Sequence, residues 1–239
     1  GGDDIIHDTH TCAILENRSI QCWGSNTYGE LGNGSTTNSS VPVTVSGITS
    51  AVAVDGKGNS TCALLDNQSV QCWGSNDGGQ LGVLPYNTNR TTPSSVSKIS
   101  NATAISGTIH QMCALLDNSS IQCWGNGSIT PVTVPDFNNV IAIDGGRMHT
   151  FALFNNKSIK CWGWDSLGSH GDGTTSSGGT EVSNSVSGIS DATAVASGSV
   201  HSCAIIGSGS VKCWGYNNYG QLGSGSTHSC NESHSNCSN

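Results

Sequence analysis

Cys62-Ala63-Leu64-Leu65-Asp66-Asn67-Gln68-Ser69-Val70-Gln71-Cys72-Trp73-Gly74 is the stretch on which the fold turns. Two short apolar runs flank a polar turn, the pattern of a β-hairpin. Cys62 and Cys72 stand ten residues apart and can face each other across such a hairpin. Directly opposed Cβ atoms lie about 4.5–5.5 Å apart, close to what a disulfide requires. The midpoint, Asn67, is then the tip, and Asn tolerates the left-handed backbone that tight turns demand.

The unit recurs along the chain. Trp23, Trp73, Trp124, Trp162 and Trp214 each stand in Cys-Trp-Gly, at spacings of 50, 51, 38 and 52 residues. A period of this length marks a repeat architecture. Hairpins are expected near residues 10–24, 60–74, 110–125, 149–163 and 201–215. The pairs Cys12/Cys22, Cys62/Cys72, Cys113/Cys123 and Cys203/Cys213 share one spacing, whereas Phe151 replaces the partner of Cys161. Three repeats continue into Gly-x-Leu-Gly: Gly29-Glu30-Leu31-Gly32, Gly79-Gln80-Leu81-Gly82 and Gly220-Gln221-Leu222-Gly223. The third drops this loop, and the fourth reads as keeping only Ser166-Leu167-Gly168. Val41-Pro42-Val43-Thr44-Val45 and Ala192-Thr193-Ala194-Val195-Ala196 alternate with period two, and no stretch carries a capped helical period. The chain reads as all-β. The five Trp read as packing anchors rather than a ligand box.

Composition narrows the function. Of 239 residues only 10% are charged and the net charge is −8. A nucleic-acid binder needs a basic stripe to displace counterions from phosphate, and a membrane-surface module needs a polybasic patch. Neither partner is expected, and no apolar run approaches the length of a spanning helix. Eleven Cys without a single Cys-x-x-Cys favour disulfides in an oxidising compartment over zinc. Twelve Asn-x-Ser/Thr sequons agree, at Asn17, Asn33, Asn38, Asn59, Asn67, Asn89, Asn101, Asn118, Asn126, Asn156, Asn231 and Asn236. Such sequons mark surface loops of secreted proteins. Asn17, Asn67, Asn118 and Asn156 all fall on hairpin tips.

A repeat of His10-Thr11-Cys12-Ala13-Ile14, Cys72-Trp73-Gly74, Asn217-Asn218-Tyr219-Gly220-Gln221-Leu222-Gly223 and Val41-Pro42-Val43-Thr44-Val45 resembles the regulator-of-chromosome-condensation (RCC1-like) repeat. The paired Cys resemble its secreted, disulfide-bearing branch. The resemblance implies a β-propeller of about five blades spanning residues 1–223, one blade incomplete, followed by a Ser/Asn/Cys-rich tail at 224–239. Family propellers usually have seven blades. The family includes exchange factors, ubiquitin-ligase domains, a photoreceptor and β-lactamase inhibitors, and no motif here carries those sites over.

No catalytic, cofactor or metal residues are expected, and no enzyme. His10, His149 and His201 read as a structural hydrogen bond within each blade, Asp55-Gly56 and Asp144-Gly145 as turns, and Asp165 and Asp172 likewise. Cys161, Cys230 and Cys237 are left over, an odd number, which admits a tail bridge or an intermolecular one. The tail Cys with His228 and His234 admit a metal. The function expected is an extracellular, N-glycosylated structural subunit, secreted or on a cell or virion surface, that assembles head to tail through an open blade edge. The alternative is a secreted binding module, such as an adhesin, lectin-like head or inhibitor, that grips another extracellular protein or a glycan. It would do so through the loops 32–40, 82–92 and 168–180, with Tyr28, Tyr86, Trp164, Tyr216 and Tyr219 as contacts.

Overall fold

The computed structural model describes residues 10–227, other than 166 and 175; the side chains of 176–183 also lie outside the description. Among the described residues there are eighteen strands and no helix. They form five antiparallel sheets in chain order, each here called a blade. Blade one comprises His10–Ile14, Ile20–Gly24 and Ser39–Thr44. Blade two comprises Ala51–Lys57, Ser60–Leu65, Val70–Gly74 and Arg90–Ser95. Blade three comprises Ala102–Gly107, Gln111–Leu116, Ile121–Gly125 and Ser128–Thr133. Blade four comprises Val140–Gly145, His149–Phe154, Ile159–Asp165 and Ser176–Ser185. Blade five comprises Ala192–Ser197, His201–Ile206 and Val211–Gly215. Two compact units divide the chain, residues 1–135 with three blades and 136–239 with two.

The central hairpin of each blade has the same register. Cys12 opposes Cys22, Cys62 opposes Cys72, Cys113 opposes Cys123 and Cys203 opposes Cys213. Each pair is a disulfide. Each closes a loop of about ten residues, and loop-closure entropy makes such a bridge worth about 2–3 kcal/mol. In blade four Phe151 opposes Cys161, which is a buried free cysteine.

The hairpin tips correct one expectation. The left-handed residue is not the Asn but its successor: Arg18, Gln68, Ser119 and Lys157 have φ of 61–66°. The Asn instead serves through its side chain. Asn17 Oδ1 accepts from the backbone N–H and hydroxyl of Ser19, at 3.1 and 2.7 Å. Asn67 with Ser69, Asn118 with Ser120 and Asn156 with Ser158 repeat the arrangement. Ser208 with Ser210 makes the fifth tip without an Asn. The Asn-x-Ser pattern at the tips is therefore turn chemistry in its own right.

Ladder register shifts at the Trp of Cys-Trp-Gly in blades one to four. A bulge re-aims a side chain, and the following Gly has φ near 100°: Gly24 113°, Gly74 99°, Gly125 95°, Gly163 107°. A methyl group on Gly74 would stand 2.4 Å from the carbonyl oxygen of Asn59. Only glycine fits that position.

Within each unit the core lies between successive blades. Ile20, Cys22, Leu31 and Val45 of blade one pack with Ala63, Leu65 and Trp73 of blade two. Leu81, Val83 and Val96 pack with Met112, Ala114 and Trp124. Phe151, Ile159 and Val186 pack with Ala204 and Trp214. Trp73 and Trp124 are fully buried and Trp214 is 1% exposed. Burying a ring of 150–250 Å² is worth about 4–6 kcal/mol as an upper estimate. Trp73→Phe is expected to lower stability by about 1–2 kcal/mol through the lost Nε1–H donor. Gly32→Ala is expected to cost more, because its methyl would meet Trp73 Nε1 at 2.7 Å. Urea denaturation of both variants checks the order.

Candidate docking faces and a buried polar cluster

Three inter-blade contacts, each within one unit, are organised by the same latch. Trp73 Nε1 donates to the carbonyl of Glu30 at 2.7 Å, Trp124 Nε1 to Gln80 at 3.0 Å and Trp214 Nε1 to Ser169 at 2.9 Å. The acceptors all lie in the Gly-x-x-Gly loop of the preceding blade. That loop is shaped from within: the Leu31 N–H donates to Asn26 Oδ1, and Leu81 does the same to Asn76 and Leu222 to Asn217. Its last Gly lets the indole approach. Methyl groups on Gly32, Gly82 and Gly171 would come within 2.7, 2.9 and 2.6 Å of Trp73, Trp124 and Trp214.

Further bonds flank the latch. Thr61 Oγ1 donates to the same Glu30 carbonyl at 2.9 Å, so His10 Nε2 donates to Thr61 Oγ1 at 2.7 Å. His149 Nε2 meets Ser202 Oγ at 3.2 Å. The expectation of a His bond within each blade is corrected: these bonds run to the next blade. Ser60 takes the histidine's place in blade two, where blade three offers Met112 instead of a hydroxyl. Asp55 and Asp144 are corrected too. They lie in strands, and their carboxylates accept the backbone N–H of Gly107 and Ser197.

Among the described residues, the latch halves of the first and last blades have no counterpart. Trp23 is half-buried and, among the described residues, donates to no acceptor. The loop Gly220–Gly223 carries a half-buried Leu222, against complete burial of Leu31 and Leu81. A methyl group on Gly223 would meet nothing within 4 Å. Among the described residues, blade one thus presents an unlatched indole and blade five an unfilled socket.

Blade four departs from the repeat. The expectation that it keeps only Ser166-Leu167-Gly168 is corrected, because Gly168-Ser169-His170-Gly171 occupies the loop's place. Counting from the Trp would have found it: Leu31, Leu81, Leu222 and His170 all lie eight residues beyond their Trp. Asp165 holds the place of Asn26, Asn76 and Asn217, and its Oδ1 accepts the His170 N–H at 2.8 Å. Asp165 is 1% exposed and His170 is fully buried. Asp165 Oδ2 and both His170 ring nitrogens are buried without a hydrogen-bond partner, and Nδ1 lies 3.9 Å from Oδ2. Asp172 Oδ1 accepts from the N–H and hydroxyl of Thr174, and Oδ2 accepts from Asn184 Nδ2 at 2.6 Å. Burial lifts the Asp165 carboxyl to about 6, against the His170 N–H that favours its charge. Burial also lowers the His170 imidazole, against the attraction of Asp172. The Cys161 thiol is pushed up by burial and then by the charges of Asp165 and Asp172.

The other sequence-level candidates are dispersed. Asn17, Asn38, Asn67, Asn89, Asn118, Asn126 and Asn156 are exposed, and Asn33, Asn59 and Asn101 are half-buried. Asn38 and Asn89 accept the backbone N–H of Asn26 and Asn76, and Asn101 Nδ2 donates to Asp117. Cys230, Cys237, Asn231 and Asn236 lie outside the described residues, as does any pairing between the tail and Cys161. No helix among the described residues is long and apolar enough to cross a membrane.

Two family models, both described as the regulator of chromosome condensation (RCC1) repeat, match the chain at residues 8–30, 51–80 and 192–221, and at 20–64. RCC1 repeats are thus matched over residues 8–80 and 192–221. Solved structures share the resulting β-propeller fold. Human WBSCR16 is 17% identical, with a TM-score of 0.80 over 92% of this chain and 63% of that one. Yeast RCC1 (Prp20), bound to Kap60, is 21% identical, with a TM-score of 0.74 over 87% and 54%. The CRINKLY ectodomain of the Arabidopsis thaliana receptor kinase ACR4 is 19% identical, with a TM-score of 0.54 over 86% and 60%. The chain thus spans between 54% and 63% of these solved chains. No curated protein matches it.

The RCC1 repeats here carry a built-in pH response at His10, whose burial lowers its imidazole to about 4. An unfolded His takes its proton near 6.5. The folded state resists that proton, so stability is full above 6.5 and falls as pH drops toward 4. Thermal melts across this window are expected to show the fall, and His10→Gln to flatten it.

Proposed function

We propose that this chain is an extracellular structural propeller subunit that docks head to tail, the Trp23 face of one copy entering the Gly220–Gly223 socket of the next. One observation carries the reading: the two open faces are the two halves of the latch that joins blades one and two. A second copy seated there repeats a contact already built three times within the chain. Such a contact is heterologous, and when it does not close it propagates as a filament. Self-association is thus the partner chemistry that these two faces offer.

Four disulfides support an oxidising compartment. N-glycans at the tips fit the same setting. The turn uses Asn17 Oδ1 and leaves Nδ2, the atom that takes the sugar, outside its bonds. With 10% charged residues the bare surface is poorly hydrated, and sugars on the tips compensate. No cofactor beyond these covalent glycans enters the reading, and no catalytic role.

Exposed aromatic residues favour a second reading, a binding module. Tyr219 is 85% exposed, and Tyr86 and Trp164 are each 40% exposed, all on loops or strand ends. The receptor-kinase ectodomain of like fold supports an extracellular setting for such a propeller. Yeast Prp20p, whose binding to Gsp1p and histones has been studied, supports protein recognition by this fold.

Electron microscopy and light scattering of the native protein separate the two readings. Multimers are expected for the wild type, and single particles for Trp23→Ser and Gly223→Val. Single particles for all three would overturn assembly and leave the binding module. Digestion with an N-glycosidase is expected to lower the mass of secreted material by several glycans, the tips Asn17, Asn67, Asn118 and Asn156 among the occupied sites. An unchanged mass would overturn the glycosylated reading.

A further inference from the structure

Three register positions of one loop change together in blade four. Blade one carries Asn26, Leu31 and Asn33 at three, eight and ten residues beyond its Trp; blade four carries Asp165, His170 and Asp172. Two amides and an aliphatic side chain are replaced by two carboxylates and an imidazole.

The first change alters donors and acceptors. Asn26 uses Oδ1 to hold the Leu31 N–H and Nδ2 to donate to the carbonyls of Ser35 and Thr37. Asp165 keeps the first bond, but its second atom is an oxygen with nothing to accept from. The second change buries an imidazole where a leucine belongs, with both nitrogens unpartnered. Leaving three such atoms dry and unpaired is destabilising. Rotating the ring to close the 3.9 Å gap to Asp165 satisfies one nitrogen and leaves the other orphaned.

We propose that Asp165, His170 and Asp172 bind a single divalent cation of the zinc class. One donor atom from each lies within 4.8 Å of the others. Tetrahedral ligands at about 2.0–2.2 Å from one ion stand about 3.4 Å apart, so the 3.9 Å pair has to close by about half an ångström, and side-chain rotation can draw in the third donor, which lies within 4.8 Å of both. One imidazole with carboxylates is a donor set suited to zinc and its neighbours rather than to calcium. The bonds to Asp172 from Thr174 and Asn184 hold that carboxylate in place, the usual task of groups behind a metal ligand. The role is structural. The ion would fasten the loop whose Ser169 carbonyl receives Trp214, in the one blade among the described residues that lacks a hairpin disulfide.

The test uses the full chain, stripped with chelator and titrated with zinc chloride by calorimetry and thermal melting. One equivalent is expected to bind, raising Tm by about 5–10 °C when zinc stands near a hundredfold above Kd. The double variant Asp165→Asn/His170→Leu restores the side chains of blades one, two and five. It is expected to fold, to match or exceed the stripped wild type in Tm, and to lose both binding and the zinc shift. Absence of binding by the wild type would overturn the proposal. So would undiminished binding by the double variant, which would move the metal to His228, Cys230, His234 and Cys237.

Discussion

The indole N–H of one repeat and a loop carbonyl of the repeat before it form the bond on which the rest of this architecture depends. Each sheet is too small to bury its own faces, so stability must come from the contact between sheets. The latch sets that contact at one geometry. The bulge at Cys-Trp-Gly turns the indole outward, the glycine beside it admits a neighbouring backbone, and the glycine ending the next loop clears the ring. Asn26, Asn76 and Asn217 exist to shape the loop that offers the carbonyl. A hydroxyl and a histidine then share the load where both are present, as at Glu30, Thr61 and His10.

Blade four shows what happens when the device is kept and its supports are changed. Trp162 follows a repeat without the loop, and its ring packs instead edge-on against Phe137, with centroids 4.7 Å apart. Phe151 stands in for a disulfide partner and packs against Trp214 and His149. The thiol it leaves behind is buried and held protonated by burial and by two nearby carboxylates. In the structure Cys161 is therefore an interior group, not a surface thiol.

Much of the fold was legible from spacing. The Cys pairs, the hairpin tips and the five repeats follow from counting, because period-two alternation and a fixed cross-strand register leave little freedom. What escaped the sequence was direction between repeats. His10 and Asp55 bond to partners 51 and 52 residues away in the next blade, and no local pattern points there. The task of the tip Asn is ambiguous in the sequence, since Asn both tolerates positive φ and accepts hydrogen bonds. The polar cluster is hidden in the sequence for a different reason. Asp165 and Asp172 look like ordinary turn acids in isolation, and His170 becomes visible only when the loop is aligned on Trp162. Its significance lies in burial, which the sequence does not display.

The uneven distribution of covalent bonds has a mechanical consequence. A chain pulled from its ends cannot extend through a hairpin closed by a disulfide, so each bridge withholds about ten residues, or roughly 35 Å of contour. Cys12–Cys22, Cys62–Cys72, Cys113–Cys123 and Cys203–Cys213 make four such locks. Blade four, with Phe151 opposite Cys161, has none. Under load it is the blade that can yield its full length while its neighbours keep their hairpins, which makes it the fuse of the array.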